Sequence, residues 1–74
     1  MKKNKKEEKI QIRAKVDTAL PGGSFKLILP TGQEVIGYLA GKLRMNYIRI
    51  IPGDEVLVEL SPYDLTKGRI TYRY

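Results

Sequence analysis

Residues 34–60, EVIGYLAGKLRMNYIRIIPGDEVLVEL, set two extended apolar segments on either side of a stretch with a different period. In residues 34–40 (EVIGYLA) apolar side chains fall on both faces, so the segment reads as a strand whose inward face alternation does not settle. Gly37 inside it predicts a bulge or sharp bend, as a coiled sheet needs. In residues 41–51 Leu43, Tyr47 and either Ile50 or Ile51 recur at spacings of three and four. That spacing predicts a short helix or helical turn running into stiff chain. Pro52-Gly53-Asp54 ends the segment in a turn. Residues 55–60 then alternate cleanly, with Val56, Val58 and Leu60 inward against Glu55, Leu57 and Glu59.

Upstream, Ile10, Ile12, Ala14 and Val16 alternate with Gln11, Arg13, Lys15 and Asp17, the pattern of a half-buried strand. Leu20-Pro21-Gly22-Gly23 interrupts it as a turn, because proline removes a ladder donor and glycine permits positive φ. Phe25, Leu27 and Leu29 mark the inward side of a second strand, and Pro30-Thr31-Gly32-Gln33 reads as a hairpin turn. Downstream, Ser61-Pro62-Tyr63-Asp64 forms a loop and Gly68 leads into a last strand. There Ile70 and Tyr72 share the core face, opposite Arg69, Thr71 and Arg73. Three strands, a short helix and two more strands is the order of an all-β, five-stranded OB-fold barrel. An SH3-like barrel is the competing architecture, and it usually lacks an insertion of helical character. Closure of one compact core suits a chain of 74 residues, which is one domain and buries only about 60% of its surface.

Composition narrows the chemistry. With no cysteine there is neither a disulfide nor a thiolate metal site, and with no histidine the commonest general base and metal ligand are missing. Ser/His/Asp and Cys/His sets are therefore impossible, and no Gly-rich phosphate loop is present. The acid pair Asp54-Glu55 reads as a turn cap and strand start rather than as metal ligands. The chain is expected to be no enzyme and to use no cofactor or metal. No apolar run approaches the ~20 residues that cross a bilayer, and Met1 is followed by lysines without an apolar leader region. No membrane partner is expected, and the protein is expected to work in the compartment that makes it.

Fourteen Lys and Arg against eight Asp and Glu give a net charge of +6, which favours polyanionic partners. Residues 1–9 carry half of that excess, so residues 1–8 are expected to form a flexible basic tail ahead of a single domain over 9–74. The tail is read either as a loose phosphate contact or as a solvated arm. In the body, Lys42, Arg44 and Arg49 share an acid-free window, and Lys67, Arg69 and Arg73 form a second one. Six phosphate contacts would give a single-strand salt slope of about −4, so doubling the salt would weaken binding roughly sixteen-fold. Four of the five arginines lie at or after position 44, and arginine both grips phosphate and stacks on bases. Among the aromatic residues, Tyr38 and Tyr47 flank the first window and are read as stacking candidates, with packing an equal reading for Tyr38. Phe25 and Tyr72 read as core, and Tyr63 as a loop tether through its hydroxyl.

The run GKLRMNYIRIIPGDEVLVELSPYDLTKGRI (residues 41–70), with LPGGSFKLILPTGQ (20–33) and GYLAG (37–41), resembles the bacterial and chloroplast translation initiation factor one family. The likeness extends over about residues 10–73. It implies a single S1-type OB-fold that binds the small (30S) ribosomal subunit at its aminoacyl-tRNA site, on 16S-type rRNA, alongside initiation factors two and three. It also implies a monomer in solution, working in the bacterial cytoplasm or, if plastid-encoded, the chloroplast stroma. Lys42, Arg44, Asn46, Tyr47 and Arg49 match the family's rRNA-contacting segment, and Arg69 a further basic surface. Met45 departs from the pattern, standing where the family commonly has Lys or Arg, and the lysine-rich tail is longer than usual. The other readings are a general single-stranded RNA or DNA chaperone and an SH3-like protein-interaction barrel.

Overall fold

The computed structural model describes residues 9–45 and 48–74, with Lys42 described through its backbone alone. The expected tail over residues 1–8, and both Asn46 and Tyr47, lie outside the described residues. Five strands and one helix follow in the order β1 (Ile10–Leu20), β2 (Ser24–Ile28), β3 (Glu34–Leu39), α1 (Gly41–Met45), β4 (Glu55–Ser61) and β5 (Asp64–Arg73). The strands close into a barrel in the order β1-β2-β3-β5-β4, the expected OB-fold.

Closure depends on β1 being long enough to serve two neighbours. Its first half, Ile10 to Lys15, pairs with β4, and Lys15 to Leu20 pairs with β2. A register shift between Val16 and Thr18 bends the strand between these duties. The turn after it, with Gly22 and Gly23 at φ of 83° and 82°, is the one its sequence predicts, although Leu20 belongs to the strand. β3 and β5 make the single parallel pairing of this barrel, and the other four are antiparallel.

Alternation delivers the core as read. Ala14, Val16, Phe25, Leu27, Leu29, Val35, Val56, Val58, Leu60 and Ile70 are all buried inside the barrel. Each large aliphatic side chain so buried contributes about 1.5–3 kcal/mol relative to exposure. In β3 the inward face is that of Val35 and Gly37, which leaves Ile36 half-buried and Tyr38 exposed.

Three expectations are corrected. Gly37 makes no bulge, since the β2–β3 register runs unbroken from Ser24↔Tyr38 to Ile28↔Glu34. What it supplies is space: a Cβ there would lie 2.7 Å from Leu27 Cδ1 and 3.0 Å from Ile70 Cγ1. Gly68 is interior to β5 rather than its start, because the strand begins at Asp64, directly after the Pro62-Tyr63 turn. Tyr72 is no core residue. Val58 pairs with Ile70 but Leu57 with Tyr72, so Thr71 is an extra residue, and the bulge reverses the parity beyond it. Tyr72 is turned outward, 54% exposed, while Arg73 comes opposite buried Val56 at the rim of the barrel.

Gly37 and Gly68 face one another across the parallel pair. A Cβ at Gly68 would meet Leu60 Cδ2 at 2.6 Å, Val58 Cγ2 at 2.7 Å and the backbone oxygen of Glu59 at 2.8 Å. Side-chain ends can shift and a ladder carbonyl cannot. Gly37→Ala is therefore expected to cost about 1–2 kcal/mol and Gly68→Ala about 3 kcal/mol or more. Urea unfolding of the two variants checks the order.

Candidate nucleic-acid interface

The segment after β3 is launched and held by backbone bonds. Ala40 N donates to Ile70 O at 2.9 Å, extending the β3–β5 ladder by one step. The Ala40 carbonyl then accepts from Leu43 N at 3.0 Å and Arg44 N at 3.1 Å, which opens α1, and Ile48 N closes onto Leu43 O at 3.1 Å. The helix is one turn long. Two apolar anchors, Leu43 in the helix and Ile50 beyond it, are buried against the barrel, each 7% exposed. Of the two isoleucines the sequence left open, Ile50 is the inward one and Ile51 is exposed. Arg44 follows one anchor and Arg49 precedes the other, and both side chains are exposed. Burying the anchors fixes where the guanidinium groups start. Among the described residues no carboxylate pairs with either of them.

The turn beyond this segment behaves as the acid pair suggested. Ile51 N donates to Asp54 Oδ2 at 3.1 Å, Asp54 N donates to Ile51 O at 3.1 Å, and Gly53 takes φ of 98°. Gly53 N donates to Val16 O at 2.8 Å and Val16 N to Asp54 O at 2.9 Å, which ties the turn to β1. Glu55 accepts from Arg13 on the neighbouring strand.

The second basic group is spread by its strands. Arg69 stands beside exposed Tyr38 in the β3–β5 register and Lys67 beside Ile36. Lys67 and Arg69, joined by Lys9, rim an open recess of about 330 Å³ that also includes Glu59, Ser61 and Gly68. Sequence reasoning began the domain at Lys9 but missed this grouping, because only the β1–β4 pairing brings the start of β1 there. Arg69 Nη2 also donates to Glu59 Oε1 at 3.0 Å. Arg73 Nη1 donates to the Arg49 carbonyl at 2.7 Å, so the last strand buttresses the arginine segment. Tyr63 is 85% exposed, and its loop is held by its backbone N–H on Ser61 Oγ at 3.1 Å, not by the expected hydroxyl tether.

Two carboxyls titrate below their usual range. The Arg69 hydrogen bond lowers Glu59 most, against partial desolvation, with Gln11 adding to the effect. Asp64 is lowered by the Thr66 hydroxyl and then by the Thr66 N–H, at 2.6 and 3.0 Å. Among the described residues there is no group of three His, Cys, Asp or Glu that could hold a metal ion, and no helix long and apolar enough to cross a membrane.

A closed five-stranded barrel with a one-turn helix between its third and fourth strands and cations beside that helix defines a small basic OB-fold protein. The family described as Translation initiation factor 1A / IF-1 matches residues 1–74. The chain belongs to that family and is a translation initiation factor. It is similar to translation initiation factor one from the Wolbachia endosymbiont, strain TRS, of Brugia malayi. The two are 41% identical with a TM-score of 0.76, over 89% of this chain and 78% of that one. It also shares its fold with part of YjeQ from Thermotoga maritima, at 23% identity and a TM-score of 0.71, over 88% of this chain and 23% of that one.

Two outcomes test this geometry. A carboxyl whose folded-state pKa is depressed stabilises the fold above its unfolded pKa and loses that contribution as pH falls through the folded value. The thermal midpoint is therefore expected to fall as pH drops below the ordinary carboxylate range, and the fall should be shallower in Glu59→Gln. Arg73→Gln is expected to raise amide exchange of residues 48–51 about fivefold, with a global loss of about 1 kcal/mol. Exchange measured by NMR separates the local from the global effect.

Proposed function

We propose that this initiation factor binds the small ribosomal subunit at its aminoacyl-tRNA site, through rRNA phosphates and bases, alongside initiation factors two and three. The observation that carries this reading is the pair Arg44 and Arg49. Both are exposed, neither pairs with a carboxylate among the described residues, and each is adjacent to a buried anchor. Uncommitted cations on a fixed frame bind a phosphate backbone of matching shape without first breaking an ion pair. Lys42, Asn46 and Tyr47 extend the same segment, and Lys67, Arg69, Arg73 and Tyr38 supply the surface beside it. Binding does the work, with no bond made or broken. Occupying the site excludes premature tRNA and biases the subunit's conformation. The setting is wherever these ribosomes work, the bacterial cytoplasm being the first place to look.

Chemical footprinting of small-subunit rRNA with and without the protein tests the reading. Protection is expected in the decoding region, lost in the Arg44→Glu/Arg49→Glu double variant. Protection elsewhere, or the same protection in the double variant, overturns it. Free single-stranded oligonucleotides bound as tightly as subunits would indicate a general RNA-binding chaperone instead.

A further inference from the structure

A second concave site lies between β1, the start of β4 and the turn that joins β2 to β3. It opens where β1 parts from β2, since their pairing ends at Lys15↔Ile28 while β1 continues along β4. The cavity measures about 440 Å³, within the range of small-ligand sites. Ala14, Ile28, Leu29 and Pro30 supply its apolar lining, and Arg13, Lys15 and Glu55 its charged groups.

Arg13 is held ready by three contacts. Its Nε lies 2.6 Å and its Nη2 2.5 Å from Glu55 Oε1. Its guanidinium carbon lies 4.0 Å from the centre of the Tyr74 ring, which is packed edge-on by Tyr72 at 4.9 Å. This places a planar cation, backed by a ring, at the wall of an apolar slot. The pair contributes little to stability, since its side chains are 57% and 44% exposed. Its consequence is orientation: a guanidinium fixed in this way loses little freedom when a flat π-system stacks on it. Both Arg13 contacts converge on Oε1, which leaves Glu55 Oε2 as an acceptor for an exocyclic amino group. Lys15 is exposed at the same mouth.

We propose that this cavity takes one unpaired nucleotide of RNA, with the base against Arg13, Ile28 and Pro30, an exocyclic amine on Glu55 and the phosphate at Lys15. The amine acceptor selects the bases that carry an exocyclic amine, adenine, cytosine and guanine, over uracil. The choice of RNA rests on the function proposed above. The site itself is separate from Arg44 and Arg49.

The test is an amide-shift titration of the full chain by NMR with tetra-adenylate, tetra-uridylate and inorganic phosphate. Tetra-adenylate is expected to move Ala14, Lys15, Ile28 and Leu29, with affinity at least about threefold above that of tetra-uridylate. Arg13→Gln and Lys15→Gln, both at exposed positions, should each weaken that response about fivefold. The Arg44→Glu/Arg49→Glu variant should retain it. Shifts confined to the α1 segment and β5, equal shifts with phosphate alone, or indifference to Arg13→Gln would overturn the proposal. The rRNA footprint is read separately. Its loss with the cavity response intact defeats the function proposed above, and its presence without that response defeats only this site.

Discussion

The parallel pairing of β3 with β5 joins the two halves of this barrel, and at its centre Gly37 lies against Gly68. The room their missing side chains leave is filled by Leu27, Ile70, Leu60 and Val58. Close-packed interiors feel even one added methylene, so a methyl group at either glycine would force these neighbours to shift. The register that follows puts Tyr38 next to Arg69 and Leu39 next to Ile70. It also fixes the point from which Ala40 starts α1.

Charge on the folded body is sorted by what each cation already holds. Lys26 lies between Asp17 and Glu34, at 4.0 and 3.6 Å, Arg13 rests on Glu55 and Tyr74, and Arg69 holds Glu59. Arg73 spends one N–H on a backbone carbonyl. Arg44 and Arg49, beside the buried anchors Leu43 and Ile50, hold no carboxylate among the described residues. Met45, 78% exposed in the same turn, adds contact surface there without charge. Net charge alone does not say which cations are already engaged, whereas this partition does.

Much of this was legible in the residue order. Alternation placed the inward faces of β1, β2 and β4, because a side-chain period of two leaves no choice once one face must avoid water. A short helix was expected between β3 and β4 and α1 stands there, although it ends at Met45, before the Ile50 and Ile51 of the spacing that suggested it, and Pro-Gly pairs placed turns. The arginine segment was visible as an acid-free window, and the family likeness pointed to the same residues. Tyr72 and Arg73 were misread because a single extra residue, Thr71, reverses parity without a local mark. The bulge expected at Gly37 is absent, because a glycine that adds a residue to a ladder and one that admits a neighbour look alike until the neighbour is known.

The order of residues by itself determined the strands, the one-turn helix, the absence of His and Cys chemistry, and which segments are cationic. Those are properties of neighbours in the chain, set by side-chain period, backbone freedom and residue type. Tertiary structure alone decided which cations are spoken for, where Arg73 reaches, and that Arg13 meets Tyr74 beside a cavity. Each joins groups far apart in sequence, and their distances exist only once the parallel pair and the bulge have fixed the register.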